Sequence, residues 1–140
     1  MIKVEVTQDI DSCLMLRRKV FIEEQNVTEE EELDGLEDVA THLLASEEGR
    51  PLGSARLLTD GEIGKIGRVC VLIEARGKGI GAALIKAAVE QFRSRPEIKK
   101  VKLGAQTHAL AFYEKLGFTA YGPEYLDANI PHRDMVMELR

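Results

Sequence analysis

The chain has 140 residues, 44% of them hydrophobic, which suits one domain (residues 1–140) with one core. A net charge of −5 and an aromatic content of 5% argue against a nucleic-acid partner, and no apolar run reaches the ~18 residues of a membrane span. The charge is uneven: residues 1–48 carry 14 acids against 4 bases, and residues 49–140 carry 10 against 15. The second part suits a polyanionic ligand, and the first suits either a cationic partner or a solvated acidic face.

Residues 2–6 alternate like a β-strand and lack a signal peptide's apolar core, so a soluble cytoplasmic protein is expected. A helix is predicted over 10–24, with Ile10, Cys13, Leu14, Val20 and Phe21 on one side. The acidic stretch 28–38, broken by Gly35, reads as a loop with a short helical turn. Three strands follow at 42–47, 52–59 and 65–73, separated by Glu48-Gly-Arg-Pro and Asp60-Gly61, which predicts an antiparallel meander. Apolar residues at 80, 84, 85, 88, 89 and 92 then mark an amphipathic helix that ends at Ser94-Arg-Pro96. A strand at 101–105, a helix at 107–116 stopped by Gly117, and closing strands at 118–121 and 135–139 complete the order βαβββαβαββ. The expected fold is mixed α/β, a mainly antiparallel twisted sheet flanked by helices, with a parallel crossover through the helix at 80–92. Cys13 and Cys70 lie in apolar runs without a C-x-x-C pair and read as free buried thiols in a reducing compartment.

The most telling segment is residues 76–81, Arg-Gly-Lys-Gly-Ile-Gly, set between a strand and a helix N-terminus. Glycines at alternate positions allow positive φ, so successive backbone N–H groups can converge on phosphate oxygens at the positive end of the helix. A nucleotide-triphosphate loop is excluded because Lys78 is followed by Gly79, not by Ser or Thr. The dinucleotide fingerprint is excluded because Gly77, Gly79 and Gly81 are spaced G-x-G-x-G. With its flanks, residues 68–85, this turn resembles the acetyl-CoA pyrophosphate loop of the GNAT N-acetyltransferase superfamily. A second segment, Gln106-Thr-His-Ala-Leu-Ala-Phe-Tyr-Glu-Lys-Leu-Gly-Phe118, is similar to that family's N-x-x-A-x-x-x-Y-x-x-x-G-F motif, with Ala109, Tyr113, Gly117 and Phe118 in register. The stretches 21–27 and 38–43 resemble the ElaA/YjcF-like branch.

The resemblance implies an acyl-CoA N-acyltransferase fold and acetyl transfer from acetyl-CoA, as co-substrate, to a primary amine of a small molecule or peptide by direct attack in a ternary complex. Val69, Cys70 and Val71 take the position of the bulged fourth strand that meets the acetyl and pantetheine groups. Arg76 offers a fork for the pyrophosphate and Lys78 a point charge for the ribose phosphate, with Gly77, Gly79, Ile80 and Gly81 completing the loop. Gln106 stands where relatives carry asparagine and is expected on pantetheine, beside Phe112. Tyr113 is the expected catalytic side chain, placed to donate a hydrogen bond or a proton to the departing thiolate. A nucleophilic role for Cys70 is the less favoured reading.

The general base is less determined. Some relatives place a glutamate before the bulge of the fourth strand, where this chain has Gly67-Arg68, and arginine cannot accept a proton. His42, Glu24, Asp38 and His132 are the candidates to take its place, with His42 the first choice, although a strand histidine is more commonly a buried, hydrogen-bonded one. Arg68 binds either an anionic part of the acceptor or the acidic segment. His108 reads as a surface or cap residue, and three scattered histidines predict no metal site. The charge asymmetry leans toward a cationic acceptor, and the closing strands could pair in a homodimer. Two other functions fit the same residues: a non-catalytic acyl-CoA-binding or regulatory module, and a plain nucleotide-binding domain.

Overall fold

In a computed structural model describing residues 1–140, the predicted meander is β2 (Thr41–Glu47), β3 (Arg50–Asp60) and β4 (Ile63–Val71). Around it lie β1 (Ile2–Thr7), β5 (Lys100–Gln106), β6 (Thr119–Asp127) and β7 (Ile130–Glu138). The seven strands form one sheet in the order β1-β2-β3-β4-β5-β7-β6. Every neighbouring pair is antiparallel except β4 and β5. That parallel pair is joined through helix α3 (Ile80–Arg93), because a parallel return needs a long crossover.

The apolar stripe of α3 packs Leu84, Ile85, Ala88 and Phe92 onto the sheet, all essentially inaccessible to water. Each large side chain so buried contributes about 1.5–3 kcal/mol. Phe92 lies directly on β4 at Gly64, where an added Cβ would stand 2.6 Å from the ring.

The single helix predicted over 10–24 has two windings. Its first part, α1 (Ile10–Arg17), is capped by Asp9, which accepts from the Ser12 amide at 3.1 Å. Residues Arg18–Glu24 then widen into a π-helix. Gln25 N–H bonds the Val20 carbonyl and Val27 N–H the Phe21 carbonyl. Asn26, with φ 60°, ends it. The short α2 (Glu29–Glu32) starts from a capping box between Thr28 and Glu31.

The closing strands are longer than predicted. β6 and β7 form a hairpin in which Asp127 pairs with Ile130, leaving Ala128 and Asn129 as a two-residue turn. Their φ values, 51° and 62°, are those of a type I′ turn. Register shifts between Tyr121 and Tyr125, where Gly122 takes φ 74°. The sequence hides this hairpin because Pro123 and Pro131 argue against strands and the turn lacks the usual Asn-Gly. Pro123 is tolerated because β6 is an edge strand, and Pro131 because it lies beyond the last β5–β7 pair, Gln106↔His132.

Candidate active site

The site begins where the parallel pair comes apart. β4 and β5 are in register from Ile63↔Lys100 to Ile66↔Leu103 and no further. Beyond that point β5 pairs only with β7, through Gly104↔Asp134, Ala105↔Arg133 and Gln106↔His132. On its other side, β4 pairs with β3 at Arg56↔Gly67 and Ser54↔Cys70. Arg68 and Val69 therefore both face Ala55, a β-bulge whose first residue, Arg68, has φ 51°. The bulge turns β4 away from β5 and leaves its edge from Gly67 onward without a strand partner on that side.

The resulting cleft opens into a cavity of about 810 Å³ that includes Val69, Cys70 and Val71 on one wall and Gln106, Phe112 and Tyr113 on another. At one end lies the glycine turn. Gly77 and Gly79 have φ 81° and 80°, and a Cβ on either would meet nothing, so glycine is needed there for backbone conformation alone. Gly79 precedes α3 with no side-chain cap, which leaves the first-turn N–H groups of Ile80 and Gly81 directed at the cavity end. These residues fit a phosphate-bearing ligand with an extended arm. Lys78 is exposed at the tip of the turn and lies outside the cavity lining.

Arg76 lines the cavity with its guanidinium engaged. Its Nη1 and Nη2 each donate to a different Glu24 oxygen at 2.7 Å, and Nε donates to the Val71 carbonyl at 3.1 Å. The adjacent Gln25 accepts from Gln106 Nε2 at 3.1 Å. The end of the π-helix is thus tied to the strand ends on both sides of the cleft.

Tyr113, on α4 (Leu110–Lys115), is packed edge-on against Phe112 and Phe118. Burial pushes its phenol up to about 12, and no group of the chain bonds its hydroxyl. It can donate a hydrogen bond to a sulfur anion, but full proton transfer to a thiolate of reference pKa near ~8.5 is strongly uphill. Cys70 is buried with its Sγ 3.6 Å from Ser54 Oγ, and desolvation pushes its thiol up to about 11. A thiol so poised stays protonated near neutral pH and is a poor nucleophile.

The acidic segment is only partly a solvated face: Glu29, Glu30, Glu31 and Asp38 are exposed, whereas Glu32, Asp34 and Glu37 are paired with arginines. Glu32 and Arg17, both nearly inaccessible, form an ion pair, and Arg17 also reaches Glu37 at 2.8 Å. Arg56 holds Asp34 bidentately, 2.7 Å at each oxygen, and bonds Glu37 at 3.0 Å. Arg68 donates to the Glu32 carbonyl at 3.0 Å and to Asp34 at 3.3 Å. Arg68 therefore pins the acidic segment to the bulge. Three guanidiniums face three carboxylates, so the cluster is close to neutral.

His42 is not brought to the site. It is buried on β2, outside the cavity lining, and its Nε2 donates to the Glu37 carbonyl at 3.0 Å. A strand position facing the buried cluster, rather than the cleft, explains the difference. Asp38 also lies outside the lining, whereas Glu24 lines it but is bound to Arg76.

The β6–β7 hairpin supplies a wall that no sequence motif announces. Tyr125 donates to Asp134 at 2.7 Å and stacks on His132, with ring centres 5.9 Å apart. His132 Nδ1 donates to the Ile130 carbonyl at 2.7 Å. Tyr125 reaches across Gly104, where an added Cβ would stand 2.5 Å from the phenol oxygen.

A parallel pair that splits around a bulge, with a glycine turn at one end and a tyrosine-bearing helix at the other, is the arrangement of the acyl-CoA N-acyltransferase folds. Residues 7–139 match the model of the acetyltransferase (GNAT) domain, and the chain belongs to that family. It is 35% identical over 132 residues to the uncharacterized N-acetyltransferase YjcF of Bacillus subtilis, covering 94% of each chain. The crystal structure of Escherichia coli ElaA superposes with a TM-score of 0.87 at 31% identity, over 99% of this chain and 100% of that one. An acyl-CoA N-acyltransferase from Pseudomonas aeruginosa gives 0.86 at 31%, over 98% and 99%.

Proposed function

We propose that this protein transfers the acetyl group of acetyl-CoA to a primary amine of a small molecule or peptide, by direct attack within a ternary complex. The observation that carries this reading is the cleft between β4 and β5, which runs from the uncapped α3 N-terminus to the unbonded Tyr113 hydroxyl. Phosphates would lie against the Gly77–Gly81 amides and pantetheine between the parted strands, with the thioester beside residues 69–71. The free strand edge supplies N–H groups for the oxyanion, and Tyr113 donates to the departing sulfur. The high thiol pKa of Cys70 supports attack by the amine itself rather than by an acylated cysteine.

The acidic segment gives less support to a cationic acceptor than its composition suggests, because Glu32, Asp34 and Glu37 are matched by three arginines. The acceptor is therefore assigned as a primary amine without a charge class. No helix is long and apolar enough to cross a membrane. Two buried free cysteines fit a reducing compartment, and we place the protein in the cytoplasm.

A second reading, an acyl-CoA-binding module without turnover, draws on Arg68, which stands before the bulge and is bound to the acidic segment. Thermal unfolding with acetyl-CoA, followed by thiol release with spermidine, tyramine, glucosamine and a dipeptide amine, separates the two. Protection with turnover supports the acetyltransferase, and protection without turnover of any amine supports the binding module. Protection by ATP or NAD but not by acetyl-CoA would leave neither standing.

A further inference from the structure

We infer that His132 is the general base of this site, taking the proton of the acceptor amine at Nε2. The assignment rests on the acetyltransferase reading above. Six cavity-lining side chains other than tyrosine can accept a proton: Glu24, Glu31, Glu32, Asp127, His108 and His132. Glu24 is held by Arg76 and Glu32 by Arg17. Glu31 closes the capping box of α2. Asp127 and His108 are exposed, and His108 Nε2 donates to Gln106. His132 differs from all five. Only 9% of it is exposed, and its Nδ1 must carry a proton because the Ile130 carbonyl can only accept.

That bond fixes the tautomer. In the neutral ring the lone pair is on Nε2, which has no hydrogen bond to the chain. Stacking on Tyr125 holds the ring plane, and Asp134 in turn holds Tyr125. Cross-strand pairing sets His132 opposite Gln106, the last residue of β5 at the mouth of the cleft. His132 is thus bonded through one nitrogen and free at the other, and it lines the same cavity as Tyr113, which is what a general base needs before the acceptor enters.

The acceptor ammonium gives one proton to His132 Nε2. The freed lone pair forms the C–N bond to the thioester carbon as the carbonyl π pair moves to oxygen. On collapse the C=O re-forms and the C–S bond breaks, with its pair leaving on sulfur. The excess N–H proton of the adduct neutralises the thiolate, which Tyr113 has held by a hydrogen bond. His132 returns its proton to solvent, so one proton is released per turnover.

The test uses His132→Asn and His132→Ala in the full chain, with the four amines named above and acetyl-CoA. Asparagine places an amide N–H where Nδ1 stood, keeping the Ile130 bond, and has nothing at Nε2. Both variants are expected to lose about 100-fold in kcat, with the acetyl-CoA KM within twofold of the parent. Added imidazole is expected to restore at least tenfold of the loss in His132→Ala, which a merely structural histidine would not permit. No turnover by the unaltered chain overturns the acetyltransferase reading and this assignment together. Turnover by the unaltered chain with His132→Asn within threefold of it, or a loss that imidazole does not reverse, overturns the assignment alone.

Discussion

Arg76 and Glu24 meet as a two-pronged ion pair, 2.7 Å at each prong, that joins the end of the π-helix to the glycine turn. The fork expected on pyrophosphate is thus engaged by a carboxylate, and a phosphate ligand competes with Glu24 for it. The pair is partly exposed, so its release costs no more than about 1 kcal/mol. Glu24→Gln is therefore expected to tighten CoA binding two- to fivefold at low salt, with the gain shrinking as salt is added. Arg76→Ala is expected to weaken it about tenfold. Calorimetric titration with CoA checks both, and weaker binding by Glu24→Gln would mean that Arg76 does not turn to the phosphates.

Tyr113→Phe is expected to lower kcat by about 10² while the acetyl-CoA dissociation constant holds, because only the hydrogen bond to the leaving sulfur is lost. The same hydroxyl affects stability at high pH. An unfolded tyrosine ionises near ~10, whereas burial pushes Tyr113 up to about 12. The folded chain then keeps a proton that the unfolded chain releases, so stability is complete below ~10 and falls as pH climbs toward 12. Tyr113→Phe should remove that part of the alkaline slope in urea unfolding followed at successive pH values.

Arg17 and Glu32 lie under the acidic segment, with side chains 1% and 3% exposed. Removing one leaves a buried charge with fewer partners, and Glu32→Ala is expected to cost about 3–5 kcal/mol. Combining Arg17→Met with Glu32→Leu should recover most of that loss, since an apolar pair needs no counter-charge. Denaturant titration of the parent and these two variants checks the order.

Asp34 gives the acid limb of stability. Hydrogen bonds from Arg56 hold its carboxyl at about 2, below the ordinary aspartate value near ~3.9. Between those values the unfolded chain takes up a proton that the folded chain refuses. The stabilisation is full above ~4 and fades as pH falls toward 2. Asp34→Asn should lower stability at neutral pH and flatten the slope between pH ~4 and ~2, read from thermal midpoints.

The donor half of the site was legible because backbone conformation carries it. Positive φ at Gly77 and Gly79 requires glycine, and the period of α3 is set by its buried face, so both leave marks in a single sequence. The acceptor half depends on which side chains meet across the sheet, and that left no local mark. His42 and His132 both lie on strands. Only the order of β5, β7 and β6 puts one in the cleft and leaves the other beneath the buried arginines. The part played by the acidic segment stayed open for a related reason: the arginines that hold Glu32, Asp34 and Glu37 are 15 to 36 residues away in sequence. The type I′ turn is the remaining case, since Ala128 adopts positive φ against its own preference and conceals the hairpin that carries Tyr125.

Gly104 has a bearing on how such a pocket diversifies. With 2.5 Å between its virtual Cβ and the Tyr125 oxygen, even alanine would displace the aromatic ring that backs His132, without touching Tyr113 or the glycine turn. One methyl group at this position would redraw the outline of the cavity at the hairpin wall and leave the glycine turn intact. Position 104 is therefore a natural place to begin selecting variants with altered substrate range.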